Sequence, residues 1–143
     1  MYLIDTNVIS EARKRERADP GVLGFLRGAA ARGEALYLSV ITIGELRRGI
    51  ELIRHRGDEP QARLLERWMG KVLRDYENQI LAFDADAAQV WGHLRVPHPE
   101  HELDKQIAAV ALVHDLTVVT RNVKRFHTSG VKVLDPFSVQ VGS

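Results

Sequence analysis

Tyr2-Leu3-Ile4-Asp5-Thr6-Asn7 is a short apolar run that breaks at once into a carboxylate, a hydroxyl and an amide. Aromatic and branched side chains in succession suit a buried strand, while Asp, Thr and Asn all suit the start of a helix. The stretch therefore predicts a strand passing directly into a helix, with Asp5 at the strand's carboxyl end. The same alternation continues along the chain. Further strands are expected near Leu36-Leu38, Ile80-Phe83, Thr117-Thr120 and Lys132-Leu134, each of the length usual for buried strands. Between them, Asp19-Pro20 reads as N-cap and first residue of a helix closed by Gly33. Ser39 or Thr42 opens a long helix ending near Gly57, and another follows Pro60. Asp84 caps Ala85-Arg95, and Leu103 to Asp115 carries apolar residues at helical spacing. Strands separated by helices need crossover connections, so the expected class is α/β, with a mostly parallel central sheet covered by helices on both faces. In such sheets ligands gather beyond the carboxyl ends of the strands, where the strand order reverses.

Composition narrows the function without choosing it. At 143 residues the chain suits one compact domain spanning residues 1–143. With 45% hydrophobic and 27% charged residues it has neither the composition of a disordered chain nor that of a membrane protein. There are no cysteines, which removes thiolate zinc sites, iron–sulfur clusters, Cys nucleophiles and disulfides, and fits a cytoplasmic location. Any metal must use oxygen or nitrogen ligands. The longest apolar run, Ile107 to Val113, stops at His114-Asp115 well short of membrane-spanning length, and Tyr2-Leu3-Ile4 is too short for a secretory signal. Twenty basic against nineteen acidic residues leave a net charge of +1. That balance excludes the strong basic field of a DNA-packing protein but is compatible with a local basic patch.

Three acids stand out. Asp5 has an ordinary reading as an N-cap, yet three capping residues in a row exceed what one helix needs. Asp104 shares a helical stripe with Ile107, Ala108 and Ala111. That stripe should face the core, where a carboxylate is costly unless paired, protonated or bound to a cation; the local alternative is a first-turn acid favoured by the helix dipole. Glu45 has capping-box spacing to Thr42 and could pair with Arg48, but it also lies at the rim of a face marked by Ile43, Leu46, Ile50 and Ile53. Gly44 and Gly49 beside it cost helix propensity and suggest that another segment or a ligand approaches closely. If the three acids converge beyond one end of the sheet, their mutual repulsion raises a carboxylate pKa or recruits a cation. Hard oxygen ligands suit Mg2+ or Mn2+.

Four ordered blocks carry a family resemblance. Tyr2 to Ser10, Leu38 to Ile50, Asp104 to Ala109 and Val118 to Phe126 together resemble PIN-domain proteins, nearest to the VapC-type toxins of bacterial toxin–antitoxin pairs. The resemblance implies a three-layer α/β/α fold and an endoribonuclease dependent on Mg2+, or Mn2+, with Asp5, Glu45 and Asp104 in the acidic positions. It implies cleavage leaving a 5′-phosphate and a 3′-hydroxyl, a homodimer, and inhibition by a VapB-type antitoxin that binds operator DNA. The fourth block departs from the pattern: Thr120-Arg121-Asn122-Val123-Lys124-Arg125-Phe126 has Asn122 and Arg125 where the family often has an acid, so a second metal would be held weakly. Asn122 can still coordinate through its carbonyl oxygen. Thr6 and Thr120 are candidate hydroxyl neighbours and Arg121 a candidate phosphate contact, with ordinary turn chemistry as the alternative for each.

Other features read as structural. His98 and His101 flank Pro99 in an irregular stretch, which disrupts any metal-binding face. Trp68 and Trp91 sit at helix-periodic positions suited to packing, and Asp84 and Asp86 to capping. Arg47-Arg48 and Arg54-His55-Arg56 are expected on a solvated helix face, with an RNA channel or an acidic partner as the alternative. A regulatory partner of a small DNA-binding protein, with little nuclease activity, competes with the enzyme reading. A DNA-cleaving flap or Holliday-type nuclease shares the acids but needs DNA-holding elements for which this chain has little room.

Overall fold

A computed structural model describes residues 1–138. Five strands, β1 (Tyr2–Ile4), β2 (Leu36–Ser39), β3 (Ile80–Leu81), β4 (Thr117–Val119) and β5 (Val133–Leu134), form one sheet in the order β3-β2-β1-β4-β5. Every pairing is parallel, with Tyr2 opposite both Leu36 and Thr117. The helices are α1 (Thr6–Ala12), α2 (Pro20–Ala31), α3 (Val40–His55), α4 (Glu59–Asp75), α5 (Ala85–Leu94) and α6 (Glu102–Val113), with 3-10 segments over Arg15–Arg17 and Val123–Ser129. The expected α/β class with a parallel sheet holds. The edge strands are shorter than expected because each pairs along one side only, and the chain after Leu81 leaves the sheet to let Asp84 cap α5.

Strand alternation divides the core into two layers. Ile4, Leu38 and Val119 point to one face, against Val8, Val22, Leu46, Ile50 and Met69. Leu3 and Val118 point to the other, against Ile107, Ala108, Ala111 and Phe126. Each of the larger of these side chains contributes about 1.5–3 kcal/mol by leaving water, so a one-residue slip would exchange the two layers and is strongly disfavoured.

Local signals set most boundaries. Asp19 caps α2 through the amides of Gly21 and Val22, and Gly33 ends it at φ +66°. Ser39, one of the two expected openings, caps α3 through the amide of Ile41 at 3.0 Å. The α3–α4 hairpin is clamped by Arg47, which reaches Glu66 at 2.9 Å, and by Arg54, which pairs with Glu51, Glu59 and Glu66. Of the basic residues expected on a solvated face, these two therefore bind helix to helix. No helix among the described residues is long and apolar enough to cross a membrane.

Candidate active site

Strand order reverses around β1, whose neighbours are β2 and β4. At its carboxyl end Asp5 is 3% exposed. Its Oδ1 accepts the backbone N–H of Thr6 at 2.8 Å, and its Oδ2 accepts the hydroxyl of Thr120 at 2.8 Å and the amide of Asn7 at 3.2 Å. Asp5 thus does cap α1, as its ordinary reading required, but one oxygen looks across the sheet to the end of β4. Burial pushes its carboxyl up to about 6 against the hydrogen bonds from Thr120 and Thr6, and the charges of Asp104 and Glu45 push the same way.

Glu45 reaches this end of the sheet from α3. Its Oε1 accepts the Thr6 hydroxyl at 2.7 Å, and the Thr6 oxygen lies 3.1 Å from that of buried Thr42. The capping box with Thr42 does not form, because Ser39 already caps the helix and Thr42 turns inward. No Glu45–Arg48 ion pair forms among the described residues. Gly44 and Gly49 also depart from expectation: a Cβ at either would meet nothing within 4 Å. They line two mainly apolar grooves that flank Glu45. One, of about 220 Å³, runs past Thr6, Arg13, Gly49 and Trp68; the other, of about 270 Å³, past Val40, Gly44, Arg48 and Leu103.

Asp104 lies in the first turn of α6, with its side chain 15% exposed and Ile107, Ala108 and Ala111 buried behind it as the stripe predicts. Its Oδ2 lies 3.6 Å from Nη1 of Arg125. The start of α6 is braced by Lys105, 2% exposed, whose ammonium donates to the carbonyl of His98. The preceding residue, His101, adopts a left-handed conformation at φ 59° and offers no side-chain cap.

Asn7, Thr42 and Lys105 were missed as site-shaping residues. Asn7 links the elements most directly: its Nδ2 reaches Asp5 at 3.2 Å and Thr120 at 3.3 Å, and its Oδ1 accepts the backbone N–H of Arg121 at 3.1 Å. The signal was the unneeded third capping residue. Asn122 donates its backbone N–H to Thr120 Oγ1 at 3.0 Å, and the Arg121 guanidinium lies over the Phe137 ring at 4.6 Å. His98 and His101 remain in an exposed loop, with His98 3.6 Å from Glu100.

The acids meet electrostatically without closing into a cage. Among the described residues no three His, Asp or Glu side chains are gathered tightly enough to form a finished metal site. Glu45 and Asp104 are tethered instead to Thr6 and Arg125. The donor set nonetheless fits a hard divalent ion: it is all oxygen, and the buried Asp5 carboxylate forms no ion pair among the described residues.

The PIN domain family pattern matches residues 2–128. The chain belongs to the PIN-domain family. A relative, the VapC ribonuclease Y4jK of Sinorhizobium fredii, is 33% identical over 96% of this chain and 98% of that protein. Toxin FitB of Neisseria gonorrhoeae is 35% identical over 96% and 99%. Among solved structures, FitAB bound to an IR36 DNA fragment superposes with a TM-score of 0.82 at 30% identity, covering all of both chains.

Proposed function

We propose that this PIN domain is the toxin of a toxin–antitoxin pair and acts as a metal-dependent endoribonuclease. The observation that carries the reading is the buried Asp5 carboxylate at the sheet's reversal point, facing the charges of Glu45 and Asp104 and lacking a protein cation of its own. A relative named a ribonuclease and another named a toxin support it.

Asp5, Glu45 and Asp104 would hold Mg2+ or Mn2+. When bound, such an ion polarises a phosphate oxygen and lowers the pKa of water, which supplies the nucleophile for phosphodiester hydrolysis. The chain's own residues do the positioning. Thr120 and Asn7 hold one Asp5 oxygen by donating to it, the Thr6 amide holds the other, and together they fix the carboxylate plane. The Thr6 hydroxyl keeps Glu45 turned toward Asp5 rather than toward solvent. Asn7 ties the Asp5 carboxylate to the backbone of Arg121, so a substrate contact there moves with the acids. Near neutral pH, Asp5 is mostly ionised and able to bind a cation.

The antitoxin would be a VapB-type protein that binds operator DNA; the similar FitAB structure holds an IR36 DNA fragment. The two apolar grooves beside Glu45 give an extended segment a place to lie. A partner's Arg or Lys reaching the acids would neutralise them without metal. The family resemblance adds a homodimer, with two sites facing one groove.

One observation favours the competing reading of a regulatory partner with weak nuclease activity: the guanidinium of Arg125 already stands beside Asp104. Induced expression without the antitoxin separates the two. Growth arrest by the native chain, abolished by Asp5→Asn, supports catalysis; equal arrest by both proteins, or none by the native chain, contradicts it.

A further inference from the structure

The segment after β4 carries three cations, Arg121, Lys124 and Arg125. Arg125 is the one in contact with the acid cluster. Its Nη1 lies 3.6 Å from Asp104 Oδ2, with the Arg125 side chain 54% exposed over an Asp104 side chain that is 15% exposed. A mostly buried carboxylate is thus covered from the solvent side by a fixed positive charge.

That contact occupies one nitrogen of a planar fork that has five N–H donors. Arg125 also lines a hollow of about 390 Å³ bounded by Arg121, Asn122, Val123, Lys124 and Asp135. Neither Arg121 nor Lys124 forms an ion pair among the described residues. Arg121 is held in place by the Phe137 ring and, through its backbone, by Asn7, the same side chain that grips Asp5. The hollow is therefore joined to the acid cluster at two points, Asn7 and the Arg125–Asp104 contact. With three cations against one carboxylate, it repels a second divalent cation and attracts an anion. Its direct junction with the acids favours a phosphodiester reaching across both over an acidic peptide.

We propose that Arg125 stands in for a second divalent cation: the site takes a single metal ion, and the adjoining hollow seats an RNA phosphate held by Arg125, Arg121 and Lys124. The identity of the phosphate-bearing ligand rests on the nuclease reading above, whereas the cation count does not.

Two measurements on the full chain test this. Mn2+ titration, followed by electron paramagnetic resonance and calorimetry, should give one ion per native chain. Arg125→Ala should bind that ion about tenfold more tightly, and Arg125→Asp should take up a second. Arg125→Gln, also expected to tighten binding about tenfold, decides if the Asp variant does not fold. In EDTA, where the metal is absent, a fluorescent single-stranded RNA should bind the Arg121→Ala/Lys124→Ala double variant about tenfold more weakly, with a shallower salt dependence.

Two ions on the native chain, or unchanged Mn2+ binding in the folded Arg125 variants, would overturn the stand-in role. Unchanged RNA affinity in the double variant, including a result in which only an acidic peptide loses affinity, would overturn the phosphate seat. A native chain that cuts no RNA contradicts the nuclease reading separately, and the Mn2+ count still decides the role of Arg125.

Discussion

Replacing Asp5 by Asn should stabilise the metal-free protein while destroying its activity. Asp5 has a folded-state pKa of about 6 against an ordinary 3.8. A carboxyl whose pKa is raised on folding binds more protons folded than unfolded, so stability falls as pH rises between those values. By linkage, keeping Asp5 ionised at pH 8 costs about 3 kcal/mol, roughly half of which remains at pH 5. Asn removes that cost, but its amide nitrogen faces donors from Asn7 or Thr120, which returns about 1–2 kcal/mol. The net gain is about 1–2 kcal/mol at pH 8, or roughly 3–6 °C in Tm for a chain of this size, shrinking to about zero near pH 5. Thermal denaturation in EDTA at the two pH values measures it. Saturating Mg2+ should erase or reverse the difference at pH 8, because only the native carboxylate gains from the ion. Equal destabilisation by Asp5→Asn at both pH values would refute the idea that a desolvated charge is held here for a cation.

Three further outcomes follow from the same geometry. Thr6→Val removes the hydroxyl that orients Glu45 and should weaken Mn2+ binding about tenfold to a hundredfold, the worth of one hydrogen bond to a charged group, with little change in fold by circular dichroism. Gly44→Ala should stabilise α3 by about 0.5–1 kcal/mol in urea titration, since its Cβ enters open space. Lys105→Ala should cost about 2–3 kcal/mol in the same titration, because it empties a buried site and orphans the His98 carbonyl; Lys105→Met, which keeps the volume, should recover about half of that loss.

The fold was legible where the decisive signals were local. Asp19-Pro20, Ser39 and Asp84 mark helix starts because a side chain bonds an amide two or three residues away, and the two apolar layers follow from strand alternation. The acids were legible for a related reason: Asp104 sits on an apolar stripe where an unpaired charge is expensive. What escaped was set by contacts between distant segments. The role of Asn7 depends on Thr120 and Arg121, that of Thr42 on Thr6, and that of Lys105 on a loop carbonyl. A lysine one residue beyond a candidate ligand reads as surface until the loop that covers it is placed. The glycines of α3 misled in the opposite direction, since low helix propensity marks an open groove as readily as a close approach.

The most direct test of the central claim is the chemistry of the RNA ends. Purified native chain, free of antitoxin and supplied with Mg2+, should cut total RNA at discrete positions. The cuts should leave 5′-phosphate and 3′-hydroxyl termini, disappear in EDTA, and be absent with Asp5→Asn. Cleavage that persists in EDTA, or that Asp5→Asn performs at the native rate, would contradict it.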